Sequence, residues 1–384
     1  MTTDVNRRKF LFGAAGTLAL ASAIRPGASL AEEVRAVTRF KPLYGPAPGV
    51  AKLNANENPY GPSKAALAAI QEASASGAYY ARESAIALRA MIAERHGLAP
   101  EYVSLSSGSS GALAACAISA AQNGNILGPD LFWDTTSRSV EHQGIAKIER
   151  LPKTSNLDID LNEMYASIDD SIAMVQVVNP NNPTGLLKDP VELRAFCKKA
   201  SAKATVLVDE AYNELTEMPE ANSMVSLVKE GYDVIVARTF SKIYGLAGLR
   251  VGYIIAAPEK IEQMSRYGIG SYGLNQAGLA AAIACYEDQQ FMNASRAKIR
   301  EGREMVSAAL QESGLTALPS QTNFMFVDLG SINAEEFRAA MAKENVLIRG
   351  IYRDYTHWSR VSMGRLEHVQ MYVDALPKVL SQFA

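Results

Sequence analysis

The sequence predicts an α/β protein: a large doubly wound domain with a mostly parallel sheet, followed by a smaller C-terminal α/β domain. Three observations carry this. The chain has 384 residues, too many for one ordinary domain. From about Val103 onward, short apolar β-rich runs alternate with longer amphipathic ones, the pattern of strands in a parallel sheet covered by helices. Near Tyr272 the alternation gives way to a long helix-rich stretch and then to a second, shorter α/β set.

The elements follow in order. The apolar run Phe10–Ala23 comes after a basic start, Asn6-Arg7-Arg8-Lys9, and before small residues at Ser29 and Ala31. That is the build of a signal peptide over residues 1–31, with cleavage after Ala23 as an alternative. Its paired arginines followed by Phe-Leu point to twin-arginine export, which carries proteins already folded. The run is short for a spanning helix, so no membrane segment is expected in the mature form. An extended Pro/Gly-rich arm occupies residues 32–66. Helical spacing marks Lys64–Ser74, Ser84–His96, Ser110–Ala121 and Pro190–Ala202. Strand-like runs are Tyr102–Leu105, Ala173–Val178, Thr205–Val208, Val234–Ala237 and Val251–Ile255. These make a large domain over residues 67–272. Residues 273–384 hold the helical stretch Asn275–Ser313, strands near Asn323–Leu329, Val346–Arg349 and Arg360–Met363, and helices near Ala334–Glu344 and Leu366–Ser381.

Composition excludes some functions. Hydrophobic residues make up 48% and charged ones 20%, as in globular proteins, and the formal net charge is -2, so a nucleic-acid partner is not expected. Cys116, Cys197 and Cys285 lie far apart, without metal-ligand spacing, and read as buried thiols.

Function in open α/β sheets gathers at loops beyond the strand C-terminal ends. Four such loops are chemically loaded. Ser106-Ser107-Gly108-Ser109-Ser110-Gly111 opens a helix and could bind an anion or simply cap the helix. Asn179-Pro180-Asn181-Asn182-Pro183-Thr184-Gly185 makes a rigid turn able to present an Asn amide. Asp209-Glu210-Ala211-Tyr212 puts a carboxylate at the end of a buried strand, where it needs a cationic partner. The fourth loop runs from Arg238-Thr239-Phe240-Ser241-Lys242 to Arg250. It sets an amine beside hydroxyls and a guanidinium suited to phosphate. An amine nucleophile, an acid for a pyridinium, donors for a phenolate and a phosphate cradle are the groups that pyridoxal 5′-phosphate (PLP) needs.

With these loops in this order, the chain resembles fold-type I PLP enzymes of the class I/II aminotransferase group, with the aspartate aminotransferase-like fold. Within that group it is similar to histidinol-phosphate aminotransferases. The arm Leu53-Asn54-Ala55-Asn56-Glu57-Asn58-Pro59-Tyr60-Gly61-Pro62 resembles that subfamily's N-terminal signature, and the resemblance covers roughly residues 50 to 380.

The resemblance implies transfer of an amino group between an amino acid and a 2-oxo acid, with Lys242 forming the Schiff base to PLP and moving the proton. It implies Asp209 on the pyridine nitrogen, Asn182 and Tyr212 on the phenolic oxygen, and Gly108, Ser109, Ser110, Thr239, Ser241 and Arg250 around the phosphate. Phe132, or its rival Trp133, would stack on the ring. Tyr80 would reach the phosphate of a neighbouring subunit, which implies a homodimer with shared sites. Arg360 would clamp the substrate α-carboxylate, and Arg349 falls near an arginine that meets a distal anion. Asn58 and Tyr60 are candidates for the substrate pocket, or for an ordinary turn. Two rivals are a lyase, decarboxylase or oxidase on the same scaffold, and a non-enzymatic binding protein. Export fits poorly with cytosolic histidine biosynthesis.

Overall fold

The computed structural model describes residues 44–268 and 270–383. The basic start, apolar run and small residues of the expected signal peptide lie outside the described residues. The chain divides into a short leading unit, Met1–Pro48, and a body, Gly49–Ala384. Everything below concerns the body.

Its strands are β1 (Ala51–Lys52), β2 (Val103–Ser107), β3 (Asn125–Pro129), β4 (Ile148–Leu151), β5 (Ile172–Val178), β6 (Thr205–Asp209), β7 (Val234–Thr239), β8 (Val251–Ile255), β9 (Thr316–Ala317), β10 (Phe324–Asp328), β11 (Val346–Leu347) and β12 (Trp358–Ser362). The longer helices are α1 (Lys64–Ser74), α2 (Arg82–His96), α3 (Gly108–Ala121), α4 (Pro190–Ala200), α5 (Gln276–Cys285), α6 (Gln289–Glu312), α7 (Ala334–Lys343) and α8 (Leu366–Leu380). Among the described residues no helix is long and apolar enough to cross a membrane.

Seven strands form one sheet in the order β2-β8-β7-β6-β5-β3-β4. β7, β6, β5, β3 and β4 run parallel, while β8 is antiparallel to both its neighbours. The central strands are apolar and buried on both faces, as a helix-covered parallel sheet requires. The strands absent from the sequence reading here are β3 and β4. β3 contains Gly128 and Pro129, and β4 is a short edge strand carrying Glu149 and Arg150.

The parallel register brings Val178 of β5 beside Asp209 of β6, and Asp209 beside Ala237 of β7. The loops after these strands therefore leave the sheet side by side. Because β8 runs the opposite way, its first residue lies at that same edge, and so does Arg250 just before it. Helix α3 starts there too, packed tightly on β8. A Cβ on Gly252 would sit 2.2 Å from the backbone nitrogen of Ser109.

A second sheet, β12-β10-β9, is antiparallel, and β1 pairs in parallel with β11. The arm is held on both sides: Leu53 N–H donates to Leu347 O at 2.8 Å, and Ser362 N–H to Leu53 O at 2.9 Å. This fixes the residues that follow Leu53. Helix α4 has Pro190 in its first turn and Asp189 capping the Val191 and Glu192 N–H groups. Cys116, Cys197 and Cys285 are buried free thiols, and burial pushes each up to about 12.

Candidate functional site

Where the strand ends converge, a cavity of about 520 Å³ opens. Of the residues singled out from sequence, Ser109, Ser110, Phe132, Asn182, Asp209, Tyr212, Thr239, Ser241, Lys242, Arg250, Arg349 and Arg360 all line it, and Trp133 does too.

Alternation along the chain after β6 separates two acids. Asp209 faces the cavity. Glu210 turns into the core, where it accepts hydrogen bonds from Arg238 Nη2 at 2.8 Å and the Met224 N–H at 2.6 Å. Asp209 is buried and accepts from the Ala211 N–H at 3.1 Å. Burial, only partly offset by that bond and by the charge of Lys242, pushes its carboxyl up to about 6. Such a group favours a permanent cation at its free face.

The Lys242 amine donates to Asn56 O at 3.2 Å and lies 5.3 Å from the centre of the Tyr212 ring. The Tyr212 hydroxyl accepts from Asn182 Nδ2 at 3.2 Å and from Asn56 Nδ2 at 2.9 Å. Two donors on that oxygen leave its own proton free to donate into the cavity. Within the Asn-Pro loop, Asn181 Nδ2 donates to Leu131 O at 3.1 Å and to Thr184 Oγ1 at 2.9 Å, which fixes the turn. Asn182 is left to face the site.

The other end of the cavity is an anion cradle. Arg250 sits in the left-handed region at φ 56° and donates to Ser110 Oγ at 2.8 Å and to Ser241 Oγ at 3.4 Å. Thr239 Oγ1 donates to Ser241 Oγ at 2.9 Å. Gly108 is not on the cavity wall. Its place is behind Arg250, where a Cβ would come 2.2 Å from Nη2, so a side chain there would displace the guanidinium.

Arg360 is buried, donates to Asn182 Oδ1 at 2.7 Å and to Asn54 O at 3.2 Å, and keeps a buried Nε without a partner. A buried donor left over in this way is matched by an anionic acceptor entering the cavity. Arg349 is paired to Arg360 through the backbone and lies 5.6 Å from the Tyr352 ring centre. Phe132 packs closely over Gly128, with Ile148 and Val178 around it.

Three more sequence candidates, besides Gly108, are not on the cavity wall. Asn58 and Tyr60 do not line the cavity, which corrects the pocket assignment. Asn58 Nδ2 is spent on Ile243 O at 2.7 Å and Ser295 Oγ at 3.1 Å, and Tyr60 Oη accepts the Leu366 N–H at 3.1 Å. The arm turns at Asn58–Gly61, so Asn54 and Asn56 face the site in their place. Tyr80 is 80% exposed and meets Tyr272 edge-on at 5.4 Å, outside this chain's cavity. Asn54, Asn56, Asp134, Arg138 and Arg353 also line the cavity and were not assigned from sequence. The signature around Asn54–Pro62 was the signal for the first two; the others stand in no motif.

The cradle at Arg250, the hydroxyl proton of Tyr212, the unpaired buried acid Asp209 and the amine of Lys242 fit the phosphate, phenolic oxygen, pyridinium and aldehyde of PLP in one cavity. Fold and site together define a PLP-dependent enzyme.

Comparison with known proteins agrees. The family described as aminotransferase class I and II matches residues 48–376. A histidinol-phosphate aminotransferase of Brevibacillus brevis is 33% identical over 334 residues, 86% of this chain and 91% of that one. An aromatic amino acid aminotransferase of Mycolicibacterium vanbaalenii is 34% identical over 316 residues, 80% of this chain and 88% of that one. The crystal structure of histidinol-phosphate aminotransferase from Sinorhizobium meliloti, in complex with PLP, superposes with a TM-score of 0.80 at 26% identity, covering 97% of this chain and 99% of that one. The chain belongs to the class I and II aminotransferases. It is a PLP-dependent enzyme that moves an amino group between an amino acid and a 2-oxo acid; the lyase and binding-protein rivals are not favoured.

The acid at 209 gives a signed pH dependence. Its folded value, about 6, lies above the ordinary 3.8, so the folded state holds the proton more tightly in between. The stability this lends is present below about pH 4 and is lost as pH rises towards 6, by on the order of 3 kcal/mol. In PLP-free protein, Asp209→Asn should therefore gain stability relative to the parent between pH 4 and 7. Chemical denaturation at both pH values measures this, and a pH-independent difference would count against it.

Proposed function

We propose that the residues of this cavity divide the work of transamination as follows. PLP, when bound, supplies an electron-withdrawing ring and an aldehyde with which an amino group condenses. Lys242 would supply the amine that holds PLP through its aldehyde and the base that moves the proton at the substrate Cα. Asp209 would keep a proton on the ring nitrogen, which would give this buried carboxylate the cationic partner it lacks. Tyr212 donates to the phenolic oxygen, and Asn182 has a second amide hydrogen to add. Ser110, Ser241 and Arg250 hold the phosphate, with Ser109 and Thr239 beside them. Arg360 receives the substrate carboxylate through its free Nε, which orients the Cα–H bond. Phe132 or Trp133 covers the ring. The observation that carries this reading is the convergence of Lys242, Asp209, Arg250 and Arg360 on one cavity.

In the PLP-loaded protein, Lys242→Ala is expected to abolish turnover and the visible absorbance of the linked cofactor, with an unchanged circular dichroism spectrum. A variant that still turns over would overturn the assignment.

The working form is a homodimer in which Tyr80 reaches the partner's phosphate cradle. The exposure of Tyr79 and Tyr80, with Tyr272 edge-on against Tyr80, supports this. Sedimentation should give twice the chain mass, and a monomer at working concentration would refute it.

The enzyme acts outside the cytoplasm, on an extracytoplasmic amino acid, a peptide N-terminus or a secondary metabolite. Arg7-Arg8 ahead of an apolar run supports export, and a cofactor bound before export suits a route for folded proteins. Cell fractionation should find the chain exported, and retained when Arg7 and Arg8 are both changed to Lys. Retention of the unaltered chain would rule this out.

A further inference from the structure

The Tyr212 hydroxyl is controlled from a residue that does not line the cavity. Ser362, at the end of β12, is buried and donates from Oγ to Asn56 Oδ1 at 2.6 Å. Asn56 donates in turn from Nδ2 to Tyr212 Oη at 2.9 Å. A chain of hydrogen bonds thus runs from the second sheet, through the arm, to a hydroxyl that faces the cavity.

Two lengths fix its direction. Turning a carboxamide over exchanges its oxygen and nitrogen with little change of shape. N–H···O bonds are seldom shorter than about 2.7 Å, whereas O–H···O bonds often are. The 2.6 Å contact is therefore hydroxyl to carbonyl, which leaves Nδ2 for Tyr212. Asn182 is fixed independently: its Oδ1 meets Arg360 Nη1 at 2.7 Å, and a guanidinium only donates. Its Nδ2 reaches Tyr212 Oη at 3.2 Å. With both amides donating to it, the Tyr212 hydroxyl finds no acceptor in either, and its proton turns to the cavity.

The two amides are not equally secure. Asn182 is bound to a permanent cation, but the direction of Asn56 depends on one hydroxyl. Without that hydroxyl, Oδ1 would be a buried acceptor lacking a donor. The amide would regain one by turning over and taking the Tyr212 proton for itself. The backbone of the arm does not need the Ser362 hydroxyl. Ser362 N–H donates to Leu53 O at 2.9 Å, and Asn323 Nδ2 donates to Glu57 O at 3.1 Å. Ser362 also lies two residues beyond Arg360 on β12, and so on the same face of that strand.

We infer that Ser362 is a positioning residue for the reaction: acting through Asn56, its hydroxyl keeps the Tyr212 proton directed at the phenolic oxygen of the cofactor. This rests on the proposed place of Tyr212 beside that oxygen.

The test is a pH titration of the visible absorbance of the PLP-loaded full chain, with turnover measured alongside. A hydrogen bond donated to the phenolic oxygen favours its anionic form, so losing that bond moves the midpoint to higher pH. Tyr212→Phe is expected to raise the midpoint by about one pH unit, the scale of one charge-assisted hydrogen bond. Ser362→Ala should raise it by about half as much or more, and should add nothing in the Tyr212→Phe background, where there is no proton to direct. Asn56→Asp gives a second route. It keeps the shape and the bond from Ser362 but offers Tyr212 an acceptor. Its new charge acts in both backgrounds, so its shift should be larger in the parent than in Tyr212→Phe. A Ser362→Ala midpoint within about 0.2 pH units of the parent overturns the inference. So does a Ser362→Ala or an Asn56→Asp shift that is the same with and without the Tyr212 hydroxyl. An unmoved midpoint in Tyr212→Phe would sink the placement of Tyr212, and the inference with it. A shift in Tyr212→Phe with none in Ser362→Ala would sink the role of Ser362 alone.

Discussion

The site depends on the register of three parallel strands. Val178, Asp209 and Ala237 lie abreast on β5, β6 and β7, so the Asn-Pro loop, the Asp209–Tyr212 turn and the Lys242 loop emerge at one edge of the sheet. A one-residue slip in β6 would exchange Asp209 for Glu210, turning the cavity acid into the core and the core acid towards Lys242. The buried Arg238, which binds Glu210 and Glu214, opposes that slip, because it would strand a charged group in the core. The network is thus a register lock beneath the catalytic edge.

The antiparallel strand β8 adds what a wholly parallel sheet could not. In a parallel sheet the catalytic edge receives only residues that follow strands. Reversal of β8 lets a residue that precedes a strand, Arg250, join them. It also sets Gly252 against the start of α3, so the two parts of the phosphate cradle are built on one close packing contact.

Much of this was legible in the sequence, for physical reasons. Strands β5 to β8 and the helices around them stand out because strands buried on both faces must be uninterruptedly apolar. The loops beyond them stand out because polar residues directly after such strands are conspicuous. β3 and β4 were not legible: Gly128, Pro129 and an edge position with Glu149 and Arg150 remove both signals. The arm misled in a specific way. Its signature named the right segment, but the chain turns at Asn58–Gly61, where Asn58 and Tyr60 bind other parts of the chain, and Asn54 and Asn56 ahead of the turn line the cavity. Asp134, Arg138 and Arg353 belong to no motif. They become neighbours only when the segment after β3 meets the segment between β11 and β12.

Asn182 divides its carboxamide between two tasks, with the carbonyl on Arg360 and an N–H on the Tyr212 hydroxyl. A carboxylate arriving at Arg360 competes for the guanidinium that polarises this amide, and the polarity of the amide sets how strongly its N–H is donated. Occupancy of the clamp and hydrogen bonding at the phenol are therefore linked equilibria. Linkage is reciprocal: whatever factor a bound carboxylate applies to the cofactor's grip, the cofactor applies to the carboxylate's. One side chain makes the two binding events of this enzyme a single thermodynamic cycle.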